Sequence, residues 1–244
     1  MEVVKSIFLR ELKSYFATPI ALIFLCVFLI LTGFFTFKLG GFYDLGQADL
    51  RSFFIWHPWL YLFIVPAVSM RLWAEERRTG TIELLLTLPV SITQAMLGKF
   101  LAAWAFIALA LALTFPILLT VFYLGDPDGG VIVAGYLGSF FMAGAFLAVG
   151  CALSACTSNQ IISFVLSTFI SLFLILLGSD PVVSSMQSIF PSTLVSQIVN
   201  LSFPYHFEAI QRGVINFSDF VFFLSVIVLG LWIGVIVIER KKAD

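Results

Sequence analysis

The sequence predicts an all-α integral membrane protein with about six transmembrane helices, and three observations predict it. Of 244 residues, 61% are hydrophobic and 11% charged, with a mean hydropathy of +1.08, whereas a soluble domain carries roughly 25% charged residues. Six segments come close to or exceed the roughly 20 mostly apolar residues that a spanning helix needs: 19–37, 53–70, 99–124, 131–156, 161–178 and 220–238. The cations between them are unequally shared. Lys5, Arg10, Lys13, Arg71, Arg77, Arg78, Lys99, Arg240, Lys241 and Lys242 fall on one side, and only Lys38, Arg51 and Arg212 on the other. That asymmetry predicts both termini in the cytoplasm.

Residues 1–18 come first. Val3, Val4, Ile7, Phe8, Leu12, Tyr15 and Phe16 recur at helical spacing, while Lys5, Arg10, Glu11, Lys13 and Ser14 fall mainly elsewhere. The pattern predicts an interfacial helix lying flat in the headgroup layer, its cations near anionic membrane lipid; a frayed extension is the alternative. The chain then turns at Pro19 into the first span, which lacks a small-residue cleavage site behind it and reads as a spanning helix.

Segment 71–90, between the second and third spans, carries the densest charge. Arg71, Glu75, Glu76, Arg77 and Arg78 cluster just past the membrane, and Gly80 breaks the run. Thr79 or Thr81 is suited to cap a new short helix with Glu83 near its positive end. Ile82, Leu84, Leu85, Leu86 and Leu88 make that helix apolar, and Pro89 stops it. Ser91-Ile92-Thr93-Gln94 then reads as a capping box opening the third membrane helix. Two roles suit a short rigid helix here: a knob for a groove on another protein, or a cover for the bundle. The charge cluster has its own plain reading as a solvated anchor with weak local ion pairs.

Loop 125–130 carries Asp126 and Asp128 without a cation, as an outer loop should. The polar turn Thr157-Ser158-Asn159-Gln160 divides the fourth span from the fifth. Small residues recur along the fourth (Gly135, Ser139, Ala143; Gly144, Ala148, Ala152), and Gly230 with Gly234 forms a GxxxG in the sixth. Both patterns permit close helix approach, either within one bundle or between two copies. Region 179–218 has helix-like apolar spacing (Ile189, Phe190, Leu194, Val195, Ile198, Val199, Leu201) broken by Pro181, Pro191 and Pro204. It is either a set of re-entrant helices, which must be buried in protein or line a cavity, or a surface loop with an amphipathic helix. The whole of 1–244 reads as one membrane domain.

Several function classes are disfavoured. A net charge of −1 gives no electrostatic reason to expect nucleic acid. Cys26, Cys151 and Cys156 match no metal or redox spacing and read as small hydrophobes in helix packing. The spans hold almost no ionisable residues, so no proton relay is evident. His57 and His206 fall in outer segments without an evident partner, which argues against an enzyme. There is no GxxxxGK[ST] loop to cradle ATP, so any ATP and Mg would belong to a partner.

The stretch EERRTGTIELLLTLPVS resembles the signature loop of the export-type (type-2, ABC-2) ABC transporter permeases, and YHFEAIQRGVINFSDFVFFLSV resembles the end of the same permeases, closest to the gliding-motility branch. The resemblance implies a non-catalytic subunit of the bacterial inner membrane. It binds no cofactor itself and works with an ABC ATP-binding subunit in two copies, a second permease copy or a related permease, and a periplasmic auxiliary protein. It makes Glu75, Glu76, Arg77, Arg78, Thr79, Gly80, Thr81 and Glu83 the segment coupled to the ATPase, and it makes the outer helices re-entrant. Movement of a substrate is one function it implies; transmission of force to a periplasmic or surface machine is another. A membrane scaffold without an ATPase partner is the rival outside the family. No substrate is legible.

Overall fold

The computed structural model describes residues 2–87 and 89–240. Leu88, Lys241, Lys242 and the side chains of Leu84, Leu85 and Leu86, all used in the sequence reading, lie outside what it describes. The described chain is an all-α integral membrane protein. Five helical stretches are long and apolar enough to cross a membrane, and a bent helix pair makes a sixth.

Helix α1 (Glu2–Ala17) ends at Thr18, whose extended backbone redirects the chain into α2 (Pro19–Phe34). Pro19 lies in the first turn of α2, where its missing N–H has no helical partner to lose. A π-helical turn, Phe35–Leu39, prolongs this span, and short helices α3 (Phe42–Leu45) and α4 (Arg51–Phe54) lead to α5 (His57–Ser69). After α6 (Ala74–Thr79) and α7 (Thr81–Thr87) the third span is built from α8 (Ile92–Ala112) and α9 (Phe115–Leu124). The central helix α10 (Gly129–Cys156) follows, its N-terminus capped by the Asp128 carboxylate.

The capping box is present: Ser91 Oγ accepts from the Gln94 amide while the Gln94 side chain accepts from the Ser91 amide. It starts α8 at Ile92, as the capping box predicts, seven residues before the apolar segment 99–124 begins. Lys99 therefore sits about two turns inside α8 rather than at its mouth.

Helix α11 (Gln160–Leu176), capped by Asn159, bends by 65° into α12 (Asp180–Gln187). At about 1.5 Å per residue α11 is roughly 26 Å long, just short of the roughly 30 Å hydrocarbon layer. Helices α13 (Ser192–Val199) and α14 (Phe203–Gln211) precede the last span, α15 (Phe217–Arg240). The prolines of this region start helices rather than only ending them: Pro181 and Pro204 lie in first turns, and Pro191 is an N-cap. Helix α14 is packed into the bundle through Phe203, Phe207 and Ile210, whereas α12 buries nothing and α13 only Val195.

The core is centred on α10, and the small residues meet inside this chain. A Cβ on Gly230 would lie 2.9 Å from the Ala148 backbone, and one on Gly234 would meet Met96 at 2.7 Å. The GxxxG of α15 thus lets that helix lie directly on α10.

Both histidines have partners, correcting the sequence reading. His57, fully buried, meets Ser139 Oγ through Nδ1 at 2.9 Å, and Ser139 in turn meets the Tyr61 hydroxyl at 2.6 Å. His206 meets Asp219 at 2.7 Å and the Asn200 carbonyl at 2.9 Å. The His57 contact closes between residues 82 positions apart, whereas His206 meets Asp219 only 13 positions on, across the bend between α14 and α15. The Nε2 of His57 is buried without a hydrogen-bond partner, and no cluster of three or more metal-ligating side chains occurs among the described residues. Of the cysteines, Cys151 is buried against Met96, while Cys26 and Cys156 are exposed.

Candidate coupling site

The second span does not stop at the charge cluster. It turns at residues 70–73 and resumes as α6, so the segment singled out by sequence is a continuation of a membrane helix. A turn there strands backbone groups at two helix ends. One hydroxyl from α10 recovers three of them: Ser154 Oγ accepts from the amides of Trp73 and Ala74, both at 3.1 Å, and donates to the Met70 carbonyl at 3.0 Å. Trp73 and Ala74 are fully buried, and the Trp73 indole donates to Met96 Sδ at 3.2 Å. The start of α6 is thereby fixed to the centre of the bundle.

The charges of α6 divide by direction. Glu76 turns inward to Lys99, whose ammonium is 2.7 Å from Glu76 Oε1 and 3.1 Å from Glu11 Oε1 of α1. Lys99 is 2% exposed and lies 5.5 Å from the centroid of the Trp73 ring, within reach of a cation–π contact. A single buried cation thus joins α1, α6 and α8. Burial pushes the Glu11 carboxyl up, but Lys99 and Arg10 together outweigh it and hold the group below its usual range. Glu75 pairs with Arg71 one turn back through two nitrogens, at 2.8 and 3.3 Å. Arg77 is half-buried with its Nε enclosed and unpartnered.

The remaining residues face outward. Arg78, Thr79, Gly80, Thr81 and Glu83 are all exposed. Gly80 ends α6 at φ +73°, a left-handed conformation that glycine adopts without a Cβ penalty. By sequence either Thr79 or Thr81 is suited to cap the next helix. Their hydroxyls instead donate back to the end of α6, Thr79 to the Glu75 carbonyl at 2.9 Å and Thr81 to the Glu76 carbonyl at 3.4 Å, and meet each other at 3.0 Å. The corner is therefore closed on itself, and Ile82 beyond it packs against the core.

The eight residues named from sequence thus separate into an inward anchor (Glu75, Glu76), a half-buried Arg77, and an exposed corner from Arg78 to Glu83. Sequence reasoning missed Lys99, Glu11, Trp73 and Ser154, which hold that anchor. The one available signal was a lone lysine in the apolar run MLGKFLAAW, since a charge inside a span needs a partner. The exposed corner thus follows directly on a helix braced to α1, α8 and α10.

A family model described as ABC-2 family transporter protein matches residues 50–239. Among curated proteins no match is found.

Proposed function

Because the chain belongs to the ABC-2 transporter family, a family of membrane subunits of ABC transporters, we propose that it is the permease of an exporter driven by a separate ATP-binding subunit docked on the corner 78–83. The observation that carries this reading is the Lys99 hub. A load applied to α6 reaches α1 and α8 through Glu76–Lys99–Glu11, and reaches α10 through Ser154. Closure of a partner on ATP would then tilt a connected block rather than bend a loose loop, a shear or rigid-body change. On this reading the corner lies in the cytoplasm and both termini with it. ATP and Mg sit on the partner, two copies of which serve two permease copies in the inner membrane.

Co-purification in mild detergent tests it. The tagged chain is expected to bring down a Walker-motif ATPase encoded beside it, and Glu83→Arg, an exposed charge reversal, is expected to release that subunit or to uncouple its ATP hydrolysis. If no ATPase associates with either protein, the scaffold reading takes its place.

A further inference from the structure

Helix α1 crosses α8 where Gly98 leaves room for Ile7: a Cβ there would lie 2.7 Å from Ile7 Cγ2. Beside this crossing lies an open groove of 770 Å³. Val4 and Phe8 of α1 form one wall, and Leu97 and Leu101 of α8 the other. Its floor is made of the small side chains Ala105 and Ala108, backed by Trp104 and Phe140, which stack at 4.3 Å with an interplanar angle of 2°. The Trp104 N–H is already spent on the Phe140 carbonyl at 2.9 Å, so that slab offers a ligand only carbon. From Leu97 to Ala108 the groove extends about 16 Å along α8.

Lys5 is the one charged residue on its lining. At 100° per residue Lys5 shares a flank of α1 with Phe8 and Leu12; Glu2 and Lys13 lie about 60° and 80° round on its other side, and Arg10 about 140° away. Lys5 is exposed and forms no ion pair among the described residues. A lone ammonium at the mouth of an apolar channel calls for an anion attached to a hydrocarbon chain. A second protein copy could fill the apolar part but would have to bring a carboxylate to the same point.

We propose that the groove between α1 and α8 binds one anionic phospholipid, an acyl chain lying along Leu97, Leu101 and Ala108 and the phosphate on Lys5. The lipid would brace α1, whose Glu11 belongs to the Lys99 hub. The site is independent of whether any ATPase partner exists, because it is built from this chain alone, from α1, α8 and Phe140 of α10.

Native mass spectrometry of the full chain, purified from vesicles of equal phosphatidylglycerol and phosphatidylethanolamine, tests the proposal. Wild type is expected to retain one phosphatidylglycerol preferentially. Lys5→Gln should lower that retention roughly fivefold, the effect of one cation near an anionic lipid surface, and Lys5→Arg should restore it. Ala105→Phe with Ala108→Phe, which fills the floor, should abolish it while leaving the gel-filtration profile unchanged. Equal retention of both lipids, or no fall in Lys5→Gln, would overturn the site. So would an efficient Leu101→Cys crosslink between two copies, tested without Cys26 and Cys156, which would give the groove to a second chain.

Discussion

Lys99→Met removes the cation at the hub while keeping the length of the side chain. Lys99 is 2% exposed, and the carboxylates it holds at 2.7 and 3.1 Å are 18% and 16% exposed. The substitution removes the shared counter-ion, leaving Glu11 with only Arg10, at 2.7 Å, and Glu76 with no ion pair among the described residues. Removing one partner of a buried ion pair costs about 3–5 kcal/mol, because the uncompensated charge stays behind. The residual exposure of Glu11 and Glu76 lets water screen them, so the lower figure, about 3 kcal/mol, applies. For a chain of this size that is a fall in Tm of roughly 6–12 °C. Scanning fluorimetry in detergent reads it directly, since Trp73 sits against the hub. The control is the neutral hub, Lys99→Met with Glu11→Gln and Glu76→Gln, which should regain most of the loss because no charge is stranded. A single variant that melts within about 2 °C of wild type, below the shift expected for one kcal/mol, would refute the reasoning. So would a triple variant no more stable than the single one.

Other expectations follow from the same geometry. Ser154→Ala strands two buried amides and a carbonyl at the α5–α6 turn, at a cost of about 1–3 kcal/mol; amide exchange over residues 70–79 should rise while exchange in α15 does not. Gly230→Leu places a side chain where even a Cβ lies 2.9 Å from the Ala148 backbone, so α15 should separate from α10 at a cost of about 3 kcal/mol, seen as a lower Tm. The pH dependence follows from Glu11, whose carboxyl is held below its ordinary 4.5. A depressed carboxylate contributes stability that is fully present above 4.5 and is lost as pH falls through the lowered value. The melting temperature of wild type should therefore drop on acidification below about 4.5 more steeply than that of Glu11→Gln, and equal slopes would remove Glu11 from the hub.

Much of this architecture was legible because its determinants are local. Apolar length gives the spans, Ser91 with Gln94 gives the start of α8, and Gly80 gives the corner that ends α6. What was not legible depends on partners distant in the chain. Glu11 and Lys99 are 88 positions apart, and Ser154 is 81 from Trp73. By hydropathy a lysine near the end of an apolar run reads as a boundary, so Lys99 was counted among the surface cations. The His57–Ser139 pair, 82 positions apart, was missed for the same reason; His206 meets Asp219 only 13 positions away, but the mixed composition of YHFEAIQ concealed that α14 is packed into the bundle through its apolar face. The GxxxG illustrates the limit well: its spacing announces a close contact, but only the fold says that the contact is with α10.

The most direct test of coupling at the corner is a photo-crosslink from inside it. A benzoylphenylalanine in place of Thr81, in cells that also make the proposed ATPase partner, should capture that subunit. The same probe in place of Tyr123, which is 90% exposed at the far end of the third span, should not. Capture from position 123, or silence at 81 in a complex that hydrolyses ATP normally, would contradict the account.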